Sequence, residues 1–578
     1  MNNHWRERTC VLGLMLGLVL LSAALVWHDL GSREVLFRDE NATITKLDQP
    51  NLKAVLDVTP MKVSRGSGNM QPIYFLLQHL FWPLVKQSAF MLRFLPSVFG
   101  LLGVILTYKL GEALFGREAG LVGALLTALL PLHVQYAQIA RPYTLLTLLS
   151  LASAYFLVQG FETNRPIHWG GFVVTGVLNF YTHYNSLLVL AIEGLFTGVI
   201  WLVMLVAVLR KRQATKPLVW PVICFLVVGI VCAPGIIRLV GLPWASLDGN
   251  GPAANFTVEL TWAFFDRFLY EIGLTTVWLQ GLMLALIGLG LAATLHRRRW
   301  QAALLTLLWL AVPFVVLSLV KSPRPFRVRY IIFGPSVALT LAGQGVAAVG
   351  QIFGALGRCW RAGWLREAAI VAISAGLALL FAAPLHTYYA DNRAASHLEL
   401  ALAVVEHHAQ PGDVIVVSPR FLVRPLAADG AEVLYLTEHL SPAQLDDLAV
   451  RYERMWILYT SFLPAIELQE PLDRWVQAQQ DEFVRVLIGL SNALAYRNMV
   501  LADAEANLRD RIALLEELAQ ASGGKQEAGQ RYSVLADAYQ SLADLYAGQG
   551  KSNLAAEYQK RAEETRAAAP HVLKRFIQ

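Results

Sequence analysis

Apolar runs of about twenty residues recur along the first two thirds of this chain, and no other feature constrains its fold as much. A run of that length crosses the hydrocarbon core of a bilayer once as a helix. Inside that core every backbone amide has to be satisfied within the segment, which leaves helices or a closed barrel, and runs this long exclude the barrel. With 56% hydrophobic and only 16% charged residues in 578, and 15 Trp, the chain is too apolar for a soluble globular protein. Runs at 10–27, 88–114, 119–135, 142–160, 168–184, 186–209, 217–240, 276–295, 301–320, 328–350 and 367–386 predict about eleven spans. A shorter apolar stretch at 71–85, with Pro72, Trp82 and Pro83, reads as an interfacial helix.

Charge orders these spans. Arg6 and Arg8 precede the first run and no small-residue cleavage pattern follows it, so the run reads as an uncleaved span with a cytoplasmic N-terminus. Alternate connections then hold Arg117, Arg165, Arg210-Lys211-Arg212, Arg297-Arg298-Arg299, Arg358, Arg361 and Arg366, as the excess of cations on cytoplasmic loops requires. The opposite loops hold Asp39-Glu40, the 135–143 turn, Thr182-His183-Tyr184, and a basic loop containing Lys321, Arg324, Arg327 and Arg329. Cations on that side run against the bias, which points to an anionic partner there. An odd number of spans places everything after Thr387 on the outer side, the periplasm if the membrane is a bacterial inner membrane.

Past that point the composition changes. Residues 391–490 read as a small α/β domain: a helix at 396–408, Pro411-Gly412-Asp413, and strands at 414–417, 432–436 and 455–459. From 491 the chain reads as helical and polar. Tyr539, Leu542, Ala543, Tyr546, Gly550, Ala555 and Ala562 stand at the offsets of one tetratricopeptide helix pair, a pattern that a generic helical hairpin also satisfies. The expected domains are thus a membrane domain at 1–390, the α/β domain at 391–490 and a helical segment at 491–578. Cys10, Cys224, Cys232 and Cys359 lie in or beside apolar runs without metal-site spacing, so neither disulfides nor a cysteine zinc site is expected. The net charge of +6 gives no sign of nucleic acid.

The outer-face residues carry the chemistry. A carboxylate facing cations at a bilayer surface suits a reaction in which a hydroxyl is deprotonated and an oxyanion leaves, with the acid as general base and arginine as phosphate clamp. Each element also has a structural reading: loop solvation for Asp39-Glu40, headgroup contact for Arg141, interfacial anchoring for His183 and Tyr184, unspecific lipid binding for the basic loop. Glu193, mid-span among Leu and Ile, fits either a transport path or a helix-packing contact.

The series Phe37-Arg38-Asp39-Glu40-Asn41-Ala42-Thr43, Phe94-Leu95-Pro96-Ser97, Tyr136-Ala137-Gln138-Ile139-Ala140-Arg141-Pro142-Tyr143, Tyr181-Thr182-His183-Tyr184 and Arg329-Tyr330-Ile331-Ile332-Phe333-Gly334-Pro335 resembles the GT-C glycosyltransferases. The similarity is to their family 39 branch, related to protein O-mannosyltransferases and lipid A aminoarabinose transferases, and covers roughly residues 10–350. The resemblance implies a polytopic helical GT-C bundle that transfers a sugar, with inversion, from a polyprenyl-phosphate donor to an acceptor hydroxyl on the outer face. It implies Asp39 as general base with Glu40 beside it, and Arg141, Arg324, Arg327 and Arg329 as ligands of the lipid phosphate. Gln138, Tyr143, His183 and Tyr184 would line the sugar or acceptor site.

One departure matters. Where many relatives have an acid after the glutamine, this chain has Ile139, so no obligatory metal or other cofactor is expected. The expected partners are the lipid-linked donor, membrane lipid, and a protein or glycan acceptor met by the C-terminal helices. Two rival readings remain: a transporter or flippase, which calls for paired ionisable groups at midplane and internal repeats, and a noncatalytic scaffold built around the tail.

Overall fold

The computed structural model describes residues 2–31, 38–47, 50–57, 72–85, 88–210, 217–240, 258–319, 326–359, 362, 364–394, 397–418, 426–435, 441–460, 475–476, 478–479, 483–489, 492–500, 503–520 and 525–568. Two compact units divide the chain: Met1–Gly31, Ala42–Lys86 and Phe90–Tyr388 form one, and Ser32–Asn41, Gln87–Ala89 and Tyr389–Gln578 the other.

The first unit is helical. Its elements are α1 (Asn2–Trp27), most of α2 (Arg38–Leu47), α3 (Leu52–Asp57), α4 (Pro72–Leu80), α5 (Trp82–Val85) and α6 (Ala89–Phe115). Then come α7 (Arg117–Leu129), α8 (Pro131–Ala137), α9 (Tyr143–Thr163), α10 (Pro166–Phe180), α11 (Ser186–Leu209) and α12 (Val219–Val240). α13 (Trp262–Glu271), α14 (Val277–His296), α15 (Trp300–Leu319), a 3-10 turn (Val328–Ile331), α16 (Gly334–Cys359) and most of α17 (Leu365–Ala394) complete it.

All eleven expected spans are helices, but not all have the length and composition to cross a membrane. Nine are long and apolar enough to span by themselves among the described residues. A tenth, α7 with α8, is bent by 63°. There Leu130 precedes Pro131 and is held extended (φ −69°, ψ 120°), because the proline ring disfavours helical geometry in the residue before it. The eleventh segment, α10, has only 15 residues. The expected interfacial helix at 71–85 is α4 and α5, and α4 packs Tyr74 and Phe75 against Leu145 and Leu149 of α9.

Close backbone approach holds the bundle. Helices in a bilayer gain nothing from hiding apolar surface from lipid, so they associate through packing that small residues permit. α16 illustrates this: a methyl at Gly343 would collide with the Ala119 carbonyl of α7, and one at Gly345 with the Leu286 carbonyl of α14. Reciprocally, Gly290 of α14 lies on the Leu341 carbonyl.

The second unit contains α18 (His397–His408), β1 (Val414–Ser418), β2 (Glu432–Tyr435), α19 (Pro442–Arg451), β3 (Arg454–Thr460), β4 (Val484–Gly489), β5 (Asn492–Asn498), α20 (Ala504–Gln520), α21 (Lys525–Gly548) and α22 (Ser552–Ala568). The sheet order is β2-β1-β3-β5-β4. β1 pairs parallel with β2 (Val416 opposite Leu434) and β3 (Val416 opposite Ile457). β5 is antiparallel to β3 (Ala495 opposite Ile457) and to β4. Val414, Val416, Met455, Ile457 and Ala495 share a core with Leu445 and Leu448 of α19.

The boundary expected at 490 is corrected here. The sheet continues through β5 to Asn498, and β5 lies between β3 and β4 rather than in a helical segment. The run Asn492-Ala493-Leu494-Ala495-Tyr496 has helix-favouring alanines, but a slot between two strands outweighs local propensity. The C-terminal helices close on Tyr546, whose hydroxyl donates to Glu505 of α20 at 2.7 Å. α21 turns into α22 through Gly550, held at φ +72°, a conformation glycine adopts without strain.

Candidate active site

The site of the first unit is built where helices break. Pro142 bars Arg141 from helical geometry, so the chain between α8 and α9 turns sharply, with the Arg141 amide donating to the Ile139 carbonyl at 2.7 Å. The turn is pinned from both sides. Thr43 of α2 donates to the Ala140 carbonyl at 2.9 Å. Gln138 donates to the carbonyls of Val26 (2.9 Å), in the last turn of α1, and His28 (2.8 Å), just after it, and its own oxygen accepts from the Tyr388 hydroxyl of α17 at 2.7 Å. The Gln138 amide is therefore engaged by protein at both ends, tying three helix termini together, whereas the sequence reading placed it along the sugar site.

Tyr143, first residue of α9 and 4% exposed, is the centre of the cluster. The guanidinium carbons of Arg141 and Arg329 each lie 5.9 Å from its ring centroid. Tyr136 meets the same ring edge-on at 5.0 Å, and His183 approaches it at 5.5 Å. Both guanidiniums thus lie by an electron-rich ring, a contact that holds a cation in place.

His183 sits in the turn between α10 and α11, with Tyr184 stacked on it at 4.6 Å and 41% exposed. Its Nδ1 accepts from the Asn185 amide at 3.2 Å. Burial, with Arg141 and then Arg329 nearby, pushes its pKa down to about 3, so the ring is neutral at physiological pH. Asn185 in turn donates to the Tyr330 carbonyl at 2.9 Å, which fixes the 3-10 turn carrying Arg329. Phe326 packs on Phe264 of α13 and steadies the same turn. Arg327, at its N-cap, is exposed.

Lys46 is the residue the sequence reading missed. It projects from the last turn of α2, its Nζ 4.1 Å from the Phe75 ring centroid. Burial, and then the charge of Arg141, lowers its pKa to about 8. Three cations thus share one corner: Lys46, Arg141 and Arg329. The spacing was readable, since Lys46 lies seven residues and two helical turns from Asp39. What hid it was the β-branched Thr43-Ile44-Thr45, which favours extended chain.

Asp39 and Glu40 stand in the first turn of α2, whose residues through Asn41 count with the second unit. Glu40 is fully buried; the Asp39 side chain and all of Arg324 lie outside the described residues. Ile139 is buried. Among the described residues, no three His, Cys, Asp or Glu side chains come together as a metal site.

Beside the cluster a small cavity of about 20 Å³, room for about one water molecule, is lined by Phe99, His133, Tyr136, Thr144, Ile332 and Ser336, among others. Among the described residues, His133 Nε2 and Thr144 Oγ1 are buried there without a hydrogen-bond partner.

Comparison with known proteins bears on the fold. The family model of dolichyl-phosphate-mannose-protein mannosyltransferase matches residues 69–237. ArnT from Cupriavidus metallidurans in the apo state superposes with a TM-score of 0.51 at 13% identity, covering 86% of this chain and 99% of that one. ArnT bound to undecaprenyl phosphate gives 0.52 at 14% identity, covering 84% and 98%. The Archaeoglobus fulgidus oligosaccharyltransferase in its apo form gives 0.50 at 11% identity, covering 78% and 70%. No curated protein matches the sequence. The chain has the fold of the GT-C membrane glycosyltransferases, with a segment inside it that matches the dolichyl-phosphate-mannose-protein mannosyltransferase family.

Proposed function

We propose that this protein is an integral membrane glycosyltransferase that moves a sugar from a polyprenyl-phosphate donor to an acceptor hydroxyl at the outer membrane surface. The observation that carries the reading is the corner of three cations, Arg141 and Arg329 at Tyr143 and Lys46 at Phe75, in a fold whose ArnT neighbour is bound to undecaprenyl phosphate. In the reaction the acceptor oxygen attacks the anomeric carbon from the face opposite the phosphate. The bond from that carbon to the phosphate oxygen breaks, and polyprenyl phosphate leaves with the electron pair. Lys46, Arg141 and Arg329 stabilise the charge that develops on the leaving oxygen, with Arg324 and Arg327 guiding the lipid headgroup toward them.

Asp39 takes the proton of the acceptor hydroxyl, and Glu40 supports it from the same helical turn. A single displacement inverts the anomeric centre. His183, neutral and packed on Tyr143, positions the ring rather than adding charge. No nucleotide sugar or metal is needed, because the phosphate is a competent leaving group once cations hold it. The C-terminal helices are the candidate surface for a protein or glycan acceptor.

The test is binding of undecaprenyl phosphate to purified protein in detergent. Wild type is expected to bind saturably, and Arg141→Ala with Arg329→Ala together to weaken binding at least a hundredfold. Equal binding by the double variant would overturn the assignment of this corner to the phosphate and favour the scaffold reading.

A further inference from the structure

The turn between α14 and α15 takes no part in the chemistry proposed above. It joins two helices that are each long and apolar enough to span, Val277–His296 and Trp300–Leu319, so Arg297, Arg298 and Arg299 between them lie at the membrane surface. Arg299 donates to the Leu114 carbonyl at 3.2 Å, which fastens the turn to the last residues of α6. α7 then runs 13 residues from Arg117, so about 20 Å of helix separates this end of the bundle from α8 and the turn that carries Arg141.

An arginine stands where the backbone favours a different residue. The Arg298 amide donates to the Leu295 carbonyl at 2.9 Å and the Arg299 amide to the Thr294 carbonyl at 3.1 Å. This pair of bonds closes a helix whose next residue is left-handed, a place that glycine or asparagine usually holds. Arg298 occupies it, at φ +57°. The other described non-glycine residues with positive φ are Asp29 and Asn164, whose short polar side chains tolerate that geometry. Arginine has no such tolerance, so what it offers at this strained position is its side chain.

The charge of that side chain is not balanced by protein. On the neighbouring ends of α6 and α7, Lys109 and Arg117 both pair with Glu112, at 3.2 and 3.4 Å, and Arg366 of α17 pairs with Glu118 at 2.7 Å. Arg297 and Arg298 are exposed and have no acidic partner among the described residues. Leu295 before them and Trp300 after them are 52% and 39% exposed, so apolar surface flanks the two guanidiniums.

We propose that Arg297 and Arg298 bind the headgroup phosphate of an anionic phospholipid, whose acyl chains begin against Leu295 and Trp300. Guanidiniums match phosphate oxygens in geometry as well as charge. The position of the turn between two spans makes the occupant a lipid of the surrounding leaflet rather than a free anion.

The experiment is thermal unfolding of the full-length protein in neutral detergent, titrated with dioleoylphosphatidylglycerol, dioleoylphosphatidylcholine or inorganic phosphate. Wild type is expected to show a saturable rise in Tm with phosphatidylglycerol, from which an apparent dissociation constant follows, and a smaller one or none with the other two. Arg297→Gln with Arg298→Gln is expected to weaken that affinity at least tenfold, as the loss of two surface cations implies. Arg298→Asn separates this role from a structural one: it is expected to raise Tm without lipid, because asparagine accepts the left-handed backbone, and to weaken phosphatidylglycerol binding several-fold. If the double variant does not fold, Arg298→Asn carries the test. A loss under tenfold in the double variant, or wild-type lipid affinity in Arg298→Asn, overturns the proposal. An equal response to phosphatidylcholine or to inorganic phosphate does so too, the latter making the turn a site for free anions. None of these results bears on the glycosyltransferase reading.

Discussion

Replacing Lys46 with Met separates stability from function at the proposed phosphate site. The ammonium is held beside Arg141 with little water, and its pKa falls from 10.5 to about 8. At about 1.4 kcal/mol per pH unit, that gap corresponds to about 3 kcal/mol of cost in the folded state, or roughly 1–2 kcal/mol once residual solvent screening is allowed for. The folded-state pKa lies below the unfolded value, so at pH 7 both states hold the proton and the whole cost is felt. As pH rises from about 8 toward 10.5 the folded protein sheds the proton first and stability increases. Lys46→Met keeps the apolar stem over Phe75 and removes the charge. It is therefore expected to raise stability at pH 7 by roughly 1–2 kcal/mol and to flatten the rise between pH 8 and 10.5.

The same change deletes one charge-assisted contact to the donor phosphate, of about 2–3 kcal/mol, which is roughly 30- to 150-fold in affinity. Urea or thermal unfolding at pH 7 and pH 9.5, with undecaprenyl phosphate titrations, reads both quantities. A variant that is less stable than wild type and binds donor equally well refutes the reasoning, because Lys46 would then be an ordinary packing residue.

Three further substitutions probe separate parts of the account. Tyr143→Ala removes the ring shared by Arg141 and Arg329 and is expected to weaken donor binding by about 3- to 30-fold, as cation–π contacts of 0.5–2 kcal/mol imply; Tyr143→Phe keeps the ring and should change it little. Gln138→Ala deletes the hydrogen bonds to Val26, His28 and Tyr388 and should lower stability by roughly 1–3 kcal/mol, measured as a fall in Tm that bound donor partly restores. Gly345→Ala pushes a methyl into the Leu286 carbonyl and should cost about 1–3 kcal/mol by overpacking, read as a lower Tm with unchanged donor affinity in the protein that remains folded.

The bundle was legible in the sequence because an apolar run of spanning length has few ways to fold, and all eleven such runs are helices. Arg141, Tyr143, His183 and Arg329 were legible too, since each stands at a helix end on the same expected face, and the structure brings these four together. Other features needed tertiary geometry. α2 lacks helical propensity through Thr43-Ile44-Thr45, and its Thr43 is anchored by the Ala140 carbonyl 97 residues away, so Lys46 could not be placed. Gln138 has the same residue type whether it binds a sugar or carbonyls of its own chain, and only the positions of Val26, His28 and Tyr388 separate the two. β5 is a strand because β3 and β4 flank it, which no local pattern in its alanines records.

The most direct test of the central claim is transfer of radiolabelled sugar from a panel of polyprenyl-phosphate sugars to a membrane extract, by wild type and by Asp39→Asn in parallel. The account expects wild type to transfer from at least one donor, with an inverted anomeric linkage in the product. It expects Asp39→Asn to lose a factor of about 10²–10⁴ in rate while binding donor with unchanged affinity. Equal transfer by both proteins, or no transfer from any donor by wild type, would contradict it.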